Sequence, residues 1–168
     1  CQPNGHERAS PADVRDSHVN RPRGDGIRTS GGRVAIDATG HRFAGLGAPQ
    51  GIACVPFGIF VANDKGGICS FYDAASFRQI SNIDLKDDAD NVRYDEARKR
   101  IYVGFGTGGI AILNSEDGKQ IGGIKLSAHP EAFALEKNGS RIFVNVPNSR
   151  CVEVIDRDKS QVVTRWKA

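Results

Sequence analysis

The chain has 168 residues, enough for one ordinary domain with its own core, and its 20 glycines and 7% aromatic content suit many short strands joined by tight turns. Its 23 basic and 20 acidic residues leave a net charge of +3 with no block of like charge, too little to imply a nucleic-acid partner. No apolar run approaches the ~18 residues of a spanning helix, and the N-terminus lacks the apolar core of a signal peptide.

Methionine is absent and the first residue is Cys1. This reads as a fragment, a trimmed chain or an incomplete reading frame, with the lipidated first residue of a mature bacterial lipoprotein as the sharper alternative. Residues 1–31 are polar and aperiodic and are expected to be disordered or loosely ordered. The tripeptide Arg23-Gly24-Asp25 lies in this segment, where so short a match arises by chance.

Residues 32–47 read as strand remnants of an incomplete blade. Val34 precedes Phe43 by 9 positions, as Val92 precedes Ile101 and Phe133 precedes Ile142. Asp37 matches Asp95, and Arg42 matches Arg100 and Arg141. The preferred reading makes these the first two strands of a blade. The alternative makes Val34–Asp37 a third strand and Phe43–Leu46 the remnant of a fourth.

From residue 48 onward a repeat is legible. Ile59-Phe60-Val61 recurs as Ile101-Tyr102-Val103 and Ile142-Phe143-Val144, at spacings of 42 and 41. Phe71-Tyr72-Asp73 recurs as Ile112-Leu113-Asn114 and Val154-Ile155-Asp156, at spacings of 41 and 42. Pro49-Gln50-Gly51-Ile52 corresponds to Ala89-Asp90-Asn91-Val92 and to Pro130-Glu131-Ala132-Phe133. Within each copy, short alternating or apolar runs are separated by turn residues. Strands are expected at 51–55, 58–63, 68–73 and 78–85, and about 41 residues later in each further copy. The third copy places them at 132–135, 141–146, 151–156 and 161–166. Asn138-Gly139 is expected to take positive φ in a tight hairpin, and Asp117-Gly118 to form the last turn of the middle copy.

Four short antiparallel strands in about 40 residues is the size of a β-propeller blade. The expected fold is therefore all-β, a partial β-propeller of about three four-stranded antiparallel blades near 48–88, 89–128 and 129–168. Three blades and a remnant do not close a ring of the usual ~4 to 8. The expectation is an open arc that self-associates or is only marginally folded, with apolar end faces around Phe143, Val154 and Trp166 and beside the front hairpin.

The second-strand run Ile59-Phe60-Val61-Ala62-Asn63 resembles the signature of YVTN-repeat propellers, and residues 101–105 and 142–146 are weaker versions. Asp73, Asn114 and Asp156 stand where that family places the aspartate ending the third strand. The resemblance covers about 120 residues and speaks to fold rather than activity. It implies that the first strand of each blade lies nearest the central channel, with the preceding residues at one mouth. Gln50, Asp90, Asn91, His129 and Glu131 are then the candidate ligand-binding residues, with Asp87 and Asp88 just before them. Convergent polar side chains suit a small polar ligand or a cation, or else merely cap strands and hydrate the funnel.

No catalytic constellation, metal site or cofactor is implied. Gly104–Gly109 mimics a phosphate loop, but a strand follows it where that chemistry needs a helix, so it reads as a hairpin turn. Asn138-Gly139-Ser140 matches a glycosylation pattern already explained as a turn. Cys54, Cys69 and Cys151 lack zinc-ligand spacing, and Cys54 and Cys69 align with apolar residues of sister copies, so both are expected to be reduced and buried. The functional expectation is a non-enzymatic scaffold for an unknown small ligand or protein partner. The alternative is part of a propeller enzyme, lactonase- or dehydrogenase-like, with its catalytic residues on other blades. Export to a bacterial periplasm or beyond is implied by the family resemblance alone.

Overall fold

A computed structural model describes residues 48–168 together with two short strands at 35–36 and 42–43. The expectations for residues 1–34, 37–41 and 44–47 lie outside the described residues. Strand β1 (Ala35–Ile36) pairs antiparallel with β2 (Arg42–Phe43), Ala35 opposite Phe43 and Ile36 opposite Arg42.

Three four-stranded antiparallel sheets follow, each a simple meander. The first holds β3 (Pro49–Val55), β4 (Gly58–Asn63), β5 (Ile68–Asp73) and β6 (Gln79–Asp84). The second holds β7 (Ala89–Asp95), β8 (Arg100–Phe105), β9 (Gly109–Asn114) and β10 (Gln120–Lys125). The third holds β11 (Ala132–Leu135), β12 (Arg141–Val146), β13 (Cys151–Asp156) and β14 (Gln161–Lys167), with a single 3-10 turn at Pro147–Ser149. Every strand expected from the repeat is present. These are three propeller blades. Their first strands lie side by side, β3 against β7 and β7 against β11, so the axis runs along that edge. Gly51 is needed there, because a Cβ on it would collide with the Asp90 carbonyl oxygen of the next blade.

The residue that ends each third strand acts through its side chain. Asp73 Oδ1 accepts from the backbone N–H groups of Ala75 (3.1 Å) and Ser76 (2.6 Å). Asn114 Oδ1 accepts from Glu116 N–H at 2.7 Å, and Asp156 Oδ1 from Asp158 at 2.9 Å and Lys159 at 3.1 Å. Each builds an Asx turn that reverses the chain into the fourth strand. Four residues on, all three turns need a left-handed residue: Phe77 (φ 56°), Gly118 (φ 70°) and Ser160 (φ 52°).

The fourth strand of every blade also carries a bulge at one register. Ile80, Ile121 and Val163 are skipped in the pairing with β5, β9 and β13, and all three are exposed. A bulge on an outermost strand twists that edge away from further pairing.

Blades pack face to face. Phe60, Ala62, Cys69 and Phe71 of the first meet Val92, Ile101, Val103 and Leu113 of the second in one buried cluster. Tyr102, Ile110, Ile112 and Ile124 of the second meet Phe133, Ile142, Val144 and Ile155 of the third in another. Each such large apolar side chain contributes about 1.5–3 kcal/mol. Two expectations fail. Cys69 is buried, but Cys54 is exposed, because it sits on the face of β3 turned away from the second blade, whereas its counterparts Tyr94 and Leu135 lie between blades. Neither Asn138 nor Gly139 takes positive φ. That loop is instead held by Glu136, whose carboxylate accepts from Arg141 Nη2 at 2.7 Å and leaves no room for a Cβ on Gly139.

Candidate functional site

The mouth is built from two kinds of loop. The turns between second and third strands, Asp64–Gly67 and Gly106–Gly108, meet the links that bring the chain into the next blade. Leu85 N–H donates to Gly67 O (3.0 Å) and Gly106 N–H to Asp88 O (2.8 Å). Gly106 (φ 60°) and Gly108 (φ 151°) supply the backbone freedom of a hairpin, as the strand after them requires.

His129 is the centre of the group. Its Nδ1 lies 2.6 Å from Gly106 O, so Nδ1–H is the donor to that carbonyl. In the imidazolium form Nε2 also carries a proton, and it sits 3.6 Å from Asp88 Oδ2 and 4.0 Å from Asp90 Oδ2. Asp88 is held above the ordinary carboxylate range, first by partial burial and then by the charge of Asp64, with His129 acting the other way. Asp90 is raised by burial as well, opposed by His129 and reinforced by Glu131 and Asp64. Asp88 and Asp90 thus flank the imidazole, while Asp64 and Glu131 act on those two carboxylates.

Of the five residues expected here, Asp90, Glu131 and His129 come together. Asn91 serves the scaffold, its Nδ2 donating to Glu131 O at 2.5 Å and tying β7 to the start of the third blade. Gln50 is exposed on β3. Asp64 belongs to the group but was not anticipated. Its signal was available: the turn after the second strand shares the face of the blade starts, and Asp64 directly follows Asn63 of the repeat signature. Among the described residues no cluster of His, Cys, Asp or Glu has the arrangement of a metal site.

With this geometry in view, the likeness to known proteins is one of architecture. No protein-family model matches the sequence, and no curated protein matches it. A solved structure of Kuenenia stuttgartiensis hydrazine synthase superposes with a TM-score of 0.65 at 19% identity, over 79% of this chain and 42% of that one. The RRP9 WD40 repeats give 0.64 at 12% identity, over 72% of this chain and 39% of theirs. The computationally designed Ika4 protein gives 0.61 at 11% identity, over 74% and 76%. The chain is built of propeller blades. It spans well under half the length of the first and second of these neighbours, and identities this low speak to the fold alone.

A second concave feature lies at the opposite end of the blades. An open cleft of about 490 Å³ runs between the first hairpins of the second and third blades, lined by residues including Tyr94, Glu96, Leu135 and Lys137. At its floor Arg157 Nη1 donates to Asp95 Oδ2 at 2.6 Å, and both side chains are almost fully buried. Arg157 Nη2 donates to the carbonyls of Glu136 and Gly139. Arg98 bridges Asp95 (3.4 Å) and Asp158 (2.7 Å) beside it. This is a staple between blades.

Proposed function

We propose that the chain is a non-enzymatic scaffold of the YVTN-repeat type that binds a small cationic or amide-bearing ligand, or a partner segment carrying such groups, at the mouth formed by Asp64, Asp88, Asp90, Glu131 and His129. The observation that carries the reading is His129 held between Asp88 and Asp90 while its other nitrogen is anchored on Gly106 O. Carboxylates whose ionised form is penalised by burial gain most from an incoming positive charge. A ligand cation supplies that charge. The propeller likeness supports a binding scaffold in general terms, because blade loops display variable groups on a rigid frame.

Calorimetric titration with spermidine as a cationic probe tests this. Saturable, salt-sensitive binding is expected, weakened about tenfold or more in Asp90→Asn and in Glu131→Gln, the loss of one charge contact worth about 1.4 kcal/mol. Absence of saturable binding, or binding by both variants as tight as that of the unaltered chain, overturns the reading.

A further inference from the structure

The two internal blade junctions differ at their outer edge. The repeat register equates Gly58, Phe71 and Ser81 of the first blade with Arg100, Ile112 and Gly122 of the second. Between the first and second blades this corner is filled. The Phe71 ring lies so close to Gly58 that a Cβ there would collide with it, and Gly118 of the second blade packs on Phe71 and Ser81. Ser81 Oγ also donates to Asp117 O at 3.2 Å. Between the second and third blades the same corner is open. The smaller Ile112 and the bare Gly122 leave a cavity of about 260 Å³, lined also by Arg100, Ile121, Gly123 and, from the third blade, Ser160.

Among the described residues Arg100 is the one charged side chain lining this cavity, and it is partly buried. Its charge is not compensated. In the third blade the corresponding Arg141 pairs with Glu136 of its own hairpin at 2.7 Å. In the second blade the corresponding acid, Asp95, is taken by Arg157 at 2.6 Å and by Arg98 at 3.4 Å. The residue opposite Arg100 on β9 is the neutral Asn114, where the sister strands carry Asp73 and Asp156. Among the described residues Arg100 forms no ion pair, and the group beside it is the neutral Tyr102 hydroxyl.

We propose that this cavity binds a small organic monocarboxylate with a short alkyl chain, its carboxylate on the Arg100 guanidinium and its chain against Ile112 and Ile121. A guanidinium presents a planar fork that a carboxylate meets with two parallel hydrogen bonds. One positive charge balances a monocarboxylate, whereas a phosphate dianion would remain half unpaired. The isoleucines and glycines offer nothing polar from a side chain, so the rest of the ligand is apolar. The cavity shares no residue with the mouth, and the inference does not rest on cation binding there.

Amide NMR of the 168-residue chain, titrated with sodium butyrate at constant ionic strength, tests this. Saturable shifts are expected at Gly122, Gly123 and Ser160. Butyramide, of the same size but uncharged, and inorganic phosphate, charged but without an alkyl chain, should each bind about tenfold or more weakly. Arg100→Gln should weaken butyrate binding by about tenfold or more, and Gly122→Val should do the same by filling the cavity. A Cβ on Gly122 meets only Ile112 side-chain atoms, at 3.7 and 3.9 Å, so that substitution spares the fold. The comparison of ligands needs no variant and stands if either variant fails to fold. Shifts that do not saturate, or butyramide or phosphate binding as tightly as butyrate, overturn the proposal. So does unchanged butyrate binding by folded Arg100→Gln.

Discussion

At the level of single residues, the three described cysteines separate the repeat pattern from its local setting. Cys69 is enclosed between blades, and burial pushes its thiol up to about 12. Cys151 is buried and Cys54 is exposed. In dilute native protein a thiol reagent should modify Cys54 rapidly and leave Cys69 and Cys151 intact until unfolding, as mass mapping of the adducts would show. The mouth carboxylates give a pH signature. A carboxylate raised in the folded state binds its proton more tightly there than in the unfolded chain. Its ionised form therefore costs stability at neutral pH, and that cost is relieved as pH falls through the folded value toward the unfolded ~3.9. Asp90→Asn should accordingly raise Tm at pH 7, with the gain shrinking to nothing by about pH 3. Ser160 offers a third test. It occupies the left-handed position that Gly118 fills in the sister blade, at a cost of about 1–2 kcal/mol for a residue with a Cβ. Against glycine's own entropic cost, Ser160→Gly should still stabilise by up to about 1 kcal/mol, read from denaturant midpoints.

At the level of strands and turns, the repeat spacing was enough to place all twelve strands of the three blades. Alternating apolar residues at a constant register leave few other ways to bury one face. What stayed hidden depends on partners far away in sequence. Nothing near Asn138-Gly139 announces that Arg157 will claim the Gly139 carbonyl, so a familiar turn dipeptide pointed to the wrong turn. Cys54 looked apolar because its sister positions are, and only the fold shows which face of β3 lacks a neighbour. Of the group around His129, Asp90 and Glu131 stand at blade starts, where the repeat register points, whereas Asp64 arrives from a turn in another blade. The outer-strand bulges at Ile80, Ile121 and Val163 were equally silent, since an inserted residue shifts the alternation by only one place. The Arg157–Asp95 staple is the element-level interaction most open to test. Arg157→Met leaves Asp95 buried with only Arg98 nearby and should cost about 3–5 kcal/mol in equilibrium denaturation. The double variant Arg157→Met, Asp95→Leu should recover much of that, since it removes the stranded charge along with its partner.

For the molecule as a whole, stability is expected to be a chain of nearest-neighbour terms, since each blade packs on the blades beside it through separate clusters. The middle blade has both faces covered: β8 is buried at Ile101 through Gly104 and β9 from Gly109 through Leu113. The third blade has one covered face and one open, so β12 alternates between buried and exposed, and β14 is mostly exposed. Two polar ties couple the second and third blades at opposite ends, His129 with Asp88 and Gly106 at the mouth and Arg157 with Asp95 at the far side. These ties fasten the loops and turns, not the outer strand. Local opening should therefore begin at β14, whose backbone pairs on one side only, and reach β8 and β9 last. Hydrogen exchange at low protein concentration should show β14 amides exchanging fastest among the strands of the last two blades, with β8 and β9 protected to the level of global unfolding. Exchange at one common rate across the strands of the last two blades would instead mean that the fold opens as one cooperative unit, and the nearest-neighbour description would fail.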